Sequence, residues 1–340
     1  MTVTTREAAA MLRAADPVPD VGAGLDGRAE ADLRRILASG TAAPATGTQP
    51  RWPRAGLLAA AAATVIAVAL AGVASGGLGL PSAGSPAYAA TPDRLVVLAL
   101  VSDAGLPVDA DAAAVLNAIA ARAAALPDDT GSGRYARMEN EGWALWTMVD
   151  GDQVTSEVVP QRSTVWAAPD GSGRVVTRRD GPGTVTSTTD QALAPGDRTL
   201  MWPPGSLSSD DSELARQLEQ NHPVGNGPAE RLVAVVDLAA EQPLAPAVRA
   251  AVLRYLARTP GLAVDGIVAD RAGRRGVAVH VDTTMSGLPE RRTLIVDPIN
   301  GRILGAETLL TEDAGKLNVP VPSVISYTTF RSARYTDDLK

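Results

Sequence analysis

No cysteine occurs in the 340 residues, and histidine occurs only twice, as His222 and His280. The first absence excludes disulfides, a thiol nucleophile, thiolate zinc sites and iron–sulfur clusters. The second removes most histidine-based metal and triad schemes. Aromatic residues are scarce at 3 %, with a single Phe, so the core must be built of Ala, Val and Leu. No GxSxG elbow, Walker loop or HExxH helix is present. Proline (25) and glycine (32) are too few for a disordered or collagen-like chain.

What is present is one long apolar run. Ala55 to Leu80, AGLLAAAAATVIAVALAGVASGGLGL, carries no charged side chain. A membrane-crossing helix needs roughly 20 apolar residues at 1.5 Å each. We therefore expect a cytoplasmic tail over residues 1–54, a transmembrane helix over 55–78, a linker over 79–92 and an extracytoplasmic domain over 93–340. Arg51 and Arg54 stand immediately before the run, and the next charges, Asp93 and Arg94, come well after it. That asymmetry keeps the N-terminus inside, with Trp52 as an interfacial anchor. The small residues Ala87 and Ala89 resemble a cleavage site, but 54 residues precede the run, which favours an uncleaved anchor over a signal peptide.

Charge separates the two sides. The first 54 residues hold seven arginines and six acids; the remainder holds 24 bases and 32 acids, a net −8. So acidic an outer domain is a poor partner for nucleic acid. Within the run, Gly72 and Gly76 form a GxxxG through which two copies of the helix could meet.

The tail reads as short helices, Arg6–Ala14 and Arg28–Leu37, the second with Leu33, Ile36 and Leu37 on one face. Beyond the linker, Asp93–Val101 and Asp109–Leu126 are predicted helices, the latter capped by Asp109. Strands are predicted at Tyr135–Glu139, Trp143–Val149, Thr164–Ala168 and Arg174–Arg178, with Trp143, Trp146 and Trp166 packed in sheet or core. Helices follow at Asp210–Asn221, Pro228–Ala240 and Ala245–Arg258. Five strands close the chain: Leu262–Asp270, Gly276–Asp282, Arg292–Asp297, Arg302–Leu310 and Val324–Arg331, with Asn300-Gly301 as a hairpin turn. Strands, then helices, then strands imply an α+β domain of mostly antiparallel sheet.

The remaining motifs read as structural. GAGLDG (Gly22–Gly27) has no strand before it and is a turn, not a dinucleotide loop. The DGD of Asp150–Asp152 lacks the other ligands of a calcium loop. Arg271, Arg274 and Arg275 read as a charged hairpin turn, not an anion site. Alternation in GVAVHVD puts Val277, Val279 and Val281 inward and His280 on a solvated face. His222 ends a helix, where a cation suits the dipole. No catalytic, cofactor-binding or metal-ligating residue is predicted, and no cofactor.

SPAYAATP (Ser85–Pro92), STVWAAPDGSG (Ser163–Gly173), LARTPGLAVDGIVADRAGRRGVAV (Leu256–Val279) and LIVDPINGRILGAE (Leu294–Glu307) resemble an actinobacterial family of single-pass membrane proteins, often encoded beside extracytoplasmic-function sigma factors. The resemblance implies a signalling role, anti-sigma-like, in which the tail holds a sigma factor; the span and the absent catalytic set add the expectation of a non-enzymatic, sensory or regulatory protein. Residues 1–54 hold neither His nor Cys, so a zinc-type anti-sigma motif is excluded. The rival expectation is an extracytoplasmic carrier of a lipid or other apolar ligand, held between a curved sheet and its helices.

Overall fold

The computed structural model describes residues 91–340, apart from 108–110, 151–152, 181–185 and 318. Contacts divide the chain into Met1–Ala55 and Gly56–Lys340, and every described residue belongs to the second unit. The tail helices, the Gly22–Gly27 turn, Trp52, the run over 55–78, Gly72, Gly76 and Ala89 all lie outside the described residues. Among the described residues no helix is long and apolar enough to cross a membrane.

Among the described residues ten strands make one sheet, and every strand pairs antiparallel with its neighbours; the one parallel contact is an isolated bridge between Gly131 and Tyr335. They are β1 (Val97–Ala99), β2 (Tyr135–Asp150), β3 (Gln153–Ala167), β4 (Gly173–Asp180), β5 (Thr186–Leu193), β6 (Ala263–Ala269), β7 (Arg275–Thr283), β8 (Glu290–Val296), β9 (Ile303–Leu310) and β10 (Ser323–Thr336). Their order is β1-β6-β7-β8-β9-β10-β2-β3-β4-β5: two meanders joined where the last strand pairs with the second. The helices are α1 (Ala112–Ala124), α2 (Asp211–Glu219), α3 (Glu230–Glu241) and α4 (Pro246–Ala257). The domain is α+β and sheet-rich, as its alternation of strand and helix blocks requires.

Helix ends follow their caps. Asp111, not Asp109, caps α1 by accepting from the Ala114 amide, and Asp210 caps α2 by accepting from Ser212 and Glu213. The helix predicted from Pro228 begins two residues later, at Glu230. Val115, Leu116 and Ile119 of α1, Leu232 and Val235 of α3, and Leu253, Tyr255 and Leu256 of α4 are fully buried against Val277, Val279, Leu294 and Val296 of the sheet. Burying such side chains contributes roughly 1.5–3 kcal/mol each. This cluster, on the helix-covered face of β6–β10, is the main core. A smaller one joins Ala136, Met138, Val165, Val175 and Leu193 under β2–β5.

Several predictions of local structure are corrected. Asp93–Val101 forms no helix: Val97–Ala99 pairs with β6, and a 3₁₀ turn follows at Val101–Ala104. A short apolar run suits either state, and here the open edge of β6 decides. The two strands predicted at Tyr135–Glu139 and Trp143–Val149 are one 16-residue strand. Gly142 does not break it, because a side chain there would come within 3.1 Å of the Tyr327 carbonyl of β10. Most of β3 was not predicted. Its Pro160 is tolerated because pairing with β4 starts only at Gln161, so the missing N–H costs no bond on that side. The edge strand β5 was not predicted either. At the β3–β4 turn Gly173 takes φ +149°, with no room for a side chain beside the Trp166 carbonyl.

Trp143 is buried and stacks on Tyr327 at 6.1 Å. Trp166 is buried between the guanidiniums of Arg137 and Arg174, 5.2 and 5.5 Å from its ring, on directly opposed positions of β2, β3 and β4. Trp146 departs from expectation, being half exposed on the long β2–β3 hairpin.

Candidate functional site

His222 closes the end of α2, its amide donating to the Leu218 carbonyl, but its side chain is buried. The helix α2 stops at Glu219, and the chain turns through His222 before returning as α3. This carries the imidazole, only 6 % exposed, onto α3, with Nδ1 2.8 Å from Glu230 Oε1 and Nε2 3.5 Å from Asp237 Oδ2. The Trp202 ring stacks on it at 5.6 Å. Glu230, Asp237 and Glu241 recur at spacings of seven and four, so one face of α3 carries all three acids. Glu241 accepts from the amides of Met201 and Trp202. On β8, the buried Glu290 accepts from Arg292 Nε at 2.6 Å and from Ser286 Oγ at 2.7 Å.

Electrostatics separates the acids. Burial pushes Asp237 up to about 7, and the charges of Glu241 and Glu230 add to this against the attraction of His222. Burial also pushes at Glu230, but the hydrogen bond and charge of His222 outweigh it and hold that carboxyl below its usual range. Burial lowers the Arg198 guanidinium pKa, against the pull of Glu241. His222 Nε2, Asp237 Oδ1 and Arg198 Nη1 are buried without a hydrogen-bond partner, which is uncommon for buried polar atoms. The arrangement sets one buried imidazole between two buried carboxyls whose pKa values are pushed in opposite directions. No group of three or more His, Asp or Glu among the described residues is arranged to hold a metal ion.

His280 is on the face opposite the helices, as alternation predicts, but that face is not solvated there. Only 8 % of it is exposed, and its Nδ1 lies 3.0 Å from Asp265 Oδ1. Arg291 approaches the same carboxylate at 3.8 Å and forks onto Asp282. Nearby, Leu95 packs on Val268, Ala278, Ile295 and Leu304, covering the sheet from that side.

The turn arginines divide. Arg271 reaches back to the buried Glu307 and lies over the Tyr327 ring. Arg274 holds Asp270 and donates to the Leu304 carbonyl at 2.9 Å. That carbonyl lies where the sheet splits. The strands β9 and β10 pair as far as Gly305 and Thr329; a bulge between Phe330 and Ser332 then carries β10 onward beside β2, with the Tyr335 amide donating to the Thr130 carbonyl on its other side. The fork leaves a notch of about 70 Å³. Its walls include Ile303, Leu304, Phe330 and Ala333, and four arginines line it: Arg249, Arg274, Arg302 and Arg331. Arg249, in the first turns of α4, is buried and donates to Asn300 O, Leu244 O and both oxygens of Asp129. Arg302 donates to the same carboxylate at 2.7 Å. Burial of Asp129 is outweighed by these two arginines, and its pKa is lowered.

The sequence reading missed the His222 cluster and the notch. Three acids on one face of a mostly apolar helix were the available signal for the first; the second has none before the bulge is known.

No known family model matches the chain, and no curated protein matches it. Among solved structures, a DUF1329 family protein from Desulfovibrio piger is similar at 9 % identity, over 68 % of this chain and 96 % of that one, with a TM-score of 0.20.

Proposed function

We propose that this chain is a single-pass, membrane-anchored extracytoplasmic protein with a sensory or regulatory role. Its tail engages a sigma factor on the cytoplasmic side. The observation that carries the reading is the uncharged run from Ala55 to Leu80, flanked by Arg51 and Arg54 and followed by a chain of net charge −8. Its length matches a bilayer, and its flanking charges set the orientation.

The carrier alternative has less support. A pocket for a small molecule usually measures roughly 300–1,000 Å³. The notch measures about 70 Å³, and α1, α3 and α4 fill the helix-covered face that an apolar ligand would need.

In the regulatory reading the tail has little surface with which to fold alone. Its Leu33, Ile36 and Leu37 supply the apolar contact to the partner. The test is affinity purification of the tagged full chain beside a version lacking residues 1–54. A sigma factor retained only by the full chain, with altered transcription from its promoters on deletion of the gene, is the expected result. No sigma factor retained and unchanged transcription would contradict the reading.

A further inference from the structure

We infer that the notch at the β9–β10 fork is a binding site for a small oxyanion, a phosphate or carboxylate group carried on a molecule with a short apolar flank. The inference concerns binding alone and stands whether or not the chain signals.

Four guanidiniums line the notch, and none of its lining residues is an acid. The carboxylates that answer these arginines lie outside the lining and are shared. Asp129 serves both Arg249 and Arg302, and Glu141, 4.0 Å from Arg331, lies closer to Arg162 at 3.2 Å. Only Asp270 belongs to one of them, Arg274. The lining itself is therefore positive inside a domain that is acidic as a whole, with Asp128, Asp129, Glu139, Glu141 and Asp270 set behind it. Guanidiniums gathered around one small notch repel one another, and an anion placed between them relieves that repulsion.

The arginines are also placed for different tasks. Arg249 and Arg274 are fixed, the first by four bonds at the base of α4 and the second between Asp270 and the Leu304 carbonyl that the fork leaves unpaired. Arg302 and Arg331 are each about two-fifths exposed, so they can close on a ligand without unfolding anything. A planar guanidinium fork matches two oxygens of a carboxylate or phosphate, which an ammonium does not. The small volume admits the charged group and little more, while Ile303, Leu304, Phe330 and Leu244 offer an apolar wall for the atom chain attached to it. The polar side chains there are already committed: Thr130 Oγ1 to Asp128, Ser332 Oγ to Glu139, and Gln242 to Trp202 O and the Gly205 amide. Recognition thus falls to charge.

The test is calorimetric titration of the detergent-solubilised full chain with inorganic phosphate and, separately, acetate, at constant ionic strength set with sodium chloride. Saturable binding of at least one anion is expected. Its Kd should rise at least tenfold in Arg302→Gln/Arg331→Gln and remain unchanged in Arg178→Gln, which alters an exposed arginine on β4. Phosphate alone or acetate alone names the head group. The single variant Arg331→Glu, at an exposed position, repeats the test should the double variant unfold. No saturable heat from either anion, or binding that ignores Arg302 and Arg331, would overturn the assignment.

Discussion

Replacing Arg249 with leucine is expected to destabilise the folded domain by about 3 kcal/mol. The guanidinium is 3 % exposed and donates to two backbone carbonyls, Asn300 O and Leu244 O, besides Asp129. It joins three segments that no strand pairing connects: the loop before β2, the start of α4 and the β8–β9 turn. Leucine leaves both carbonyls without their donor and Asp129 with only its outer arginine. The cost stays below the upper range for a broken buried pair because Asp129 is one-third exposed and keeps Arg302. Arg302→Leu, removing the exposed member, should cost no more than about 1 kcal/mol. Urea unfolding followed through tryptophan fluorescence reads both. A shifted midpoint with unchanged slope is expected for Arg249→Leu. A loss equal to that of Arg302→Leu would mean that burial of the guanidinium contributes nothing.

The second large effect depends on pH. Asp237→Asn should become progressively stabilising, relative to the parent chain, as pH rises from about 5 to about 7. Burial raises the carboxyl in the fold to about 7, whereas in the unfolded chain it titrates near the ordinary aspartate value of 3.8. Between those values the native state holds a proton that the unfolded state has lost. Raising the pH therefore withdraws stability from the parent, by up to about 1.4 kcal/mol per pH unit. Asparagine is neutral throughout and escapes the penalty. Over pH 5 to 7 the variant should gain about 2 kcal/mol on the parent, with the difference levelling above pH 7. His222, Glu230, Glu241 and Arg292 surround the group, and their other contributions largely cancel in the difference. A pH-independent difference would show that Asp237 is ionised in the fold at acid pH.

The helices were legible because their periods and caps are local. Leu232, Val235 and Val236 mark the buried face of α3, and Asp210 with Asp211 and Glu213 marks the start of α2. The closing meander was legible too, since Val277, Val279 and Val281 alternate and Gly301 and Gly273 punctuate the turns. β5 was not. Its Thr-Ser-Thr-Thr-Asp-Gln has no apolar alternation, because the strand is an exposed edge held by its pairing with β4. Nor was the strand at Val97–Ala99, where Leu-Val-Val-Leu-Ala-Leu fits either period and the partner lies far along the chain.

The two candidate sites were hidden for a different reason. His222 meets Glu230 and Asp237 only because the chain doubles back after α2. His280 faces where alternation says, yet exposure depends on what covers the sheet, and Leu95, Asp265 and Arg291 arrive there from elsewhere. The notch depends on a bulge in β10 that parts it from β9, and a one-residue irregularity among Phe330, Arg331 and Ser332 leaves no mark in composition.

The absence of native cysteine allows a direct test of orientation, which is the central claim. Ile299, 71 % exposed in the β8–β9 turn, can be changed to cysteine as a reporter for the outer domain, and Ser39 as a reporter for the tail. Intact cells are then treated with a membrane-impermeant maleimide. Labelling of Ile299→Cys before lysis, and of Ser39→Cys only after permeabilisation, is the predicted result. Labelling of Ser39→Cys in intact cells, or protection of Ile299→Cys until lysis, would contradict it.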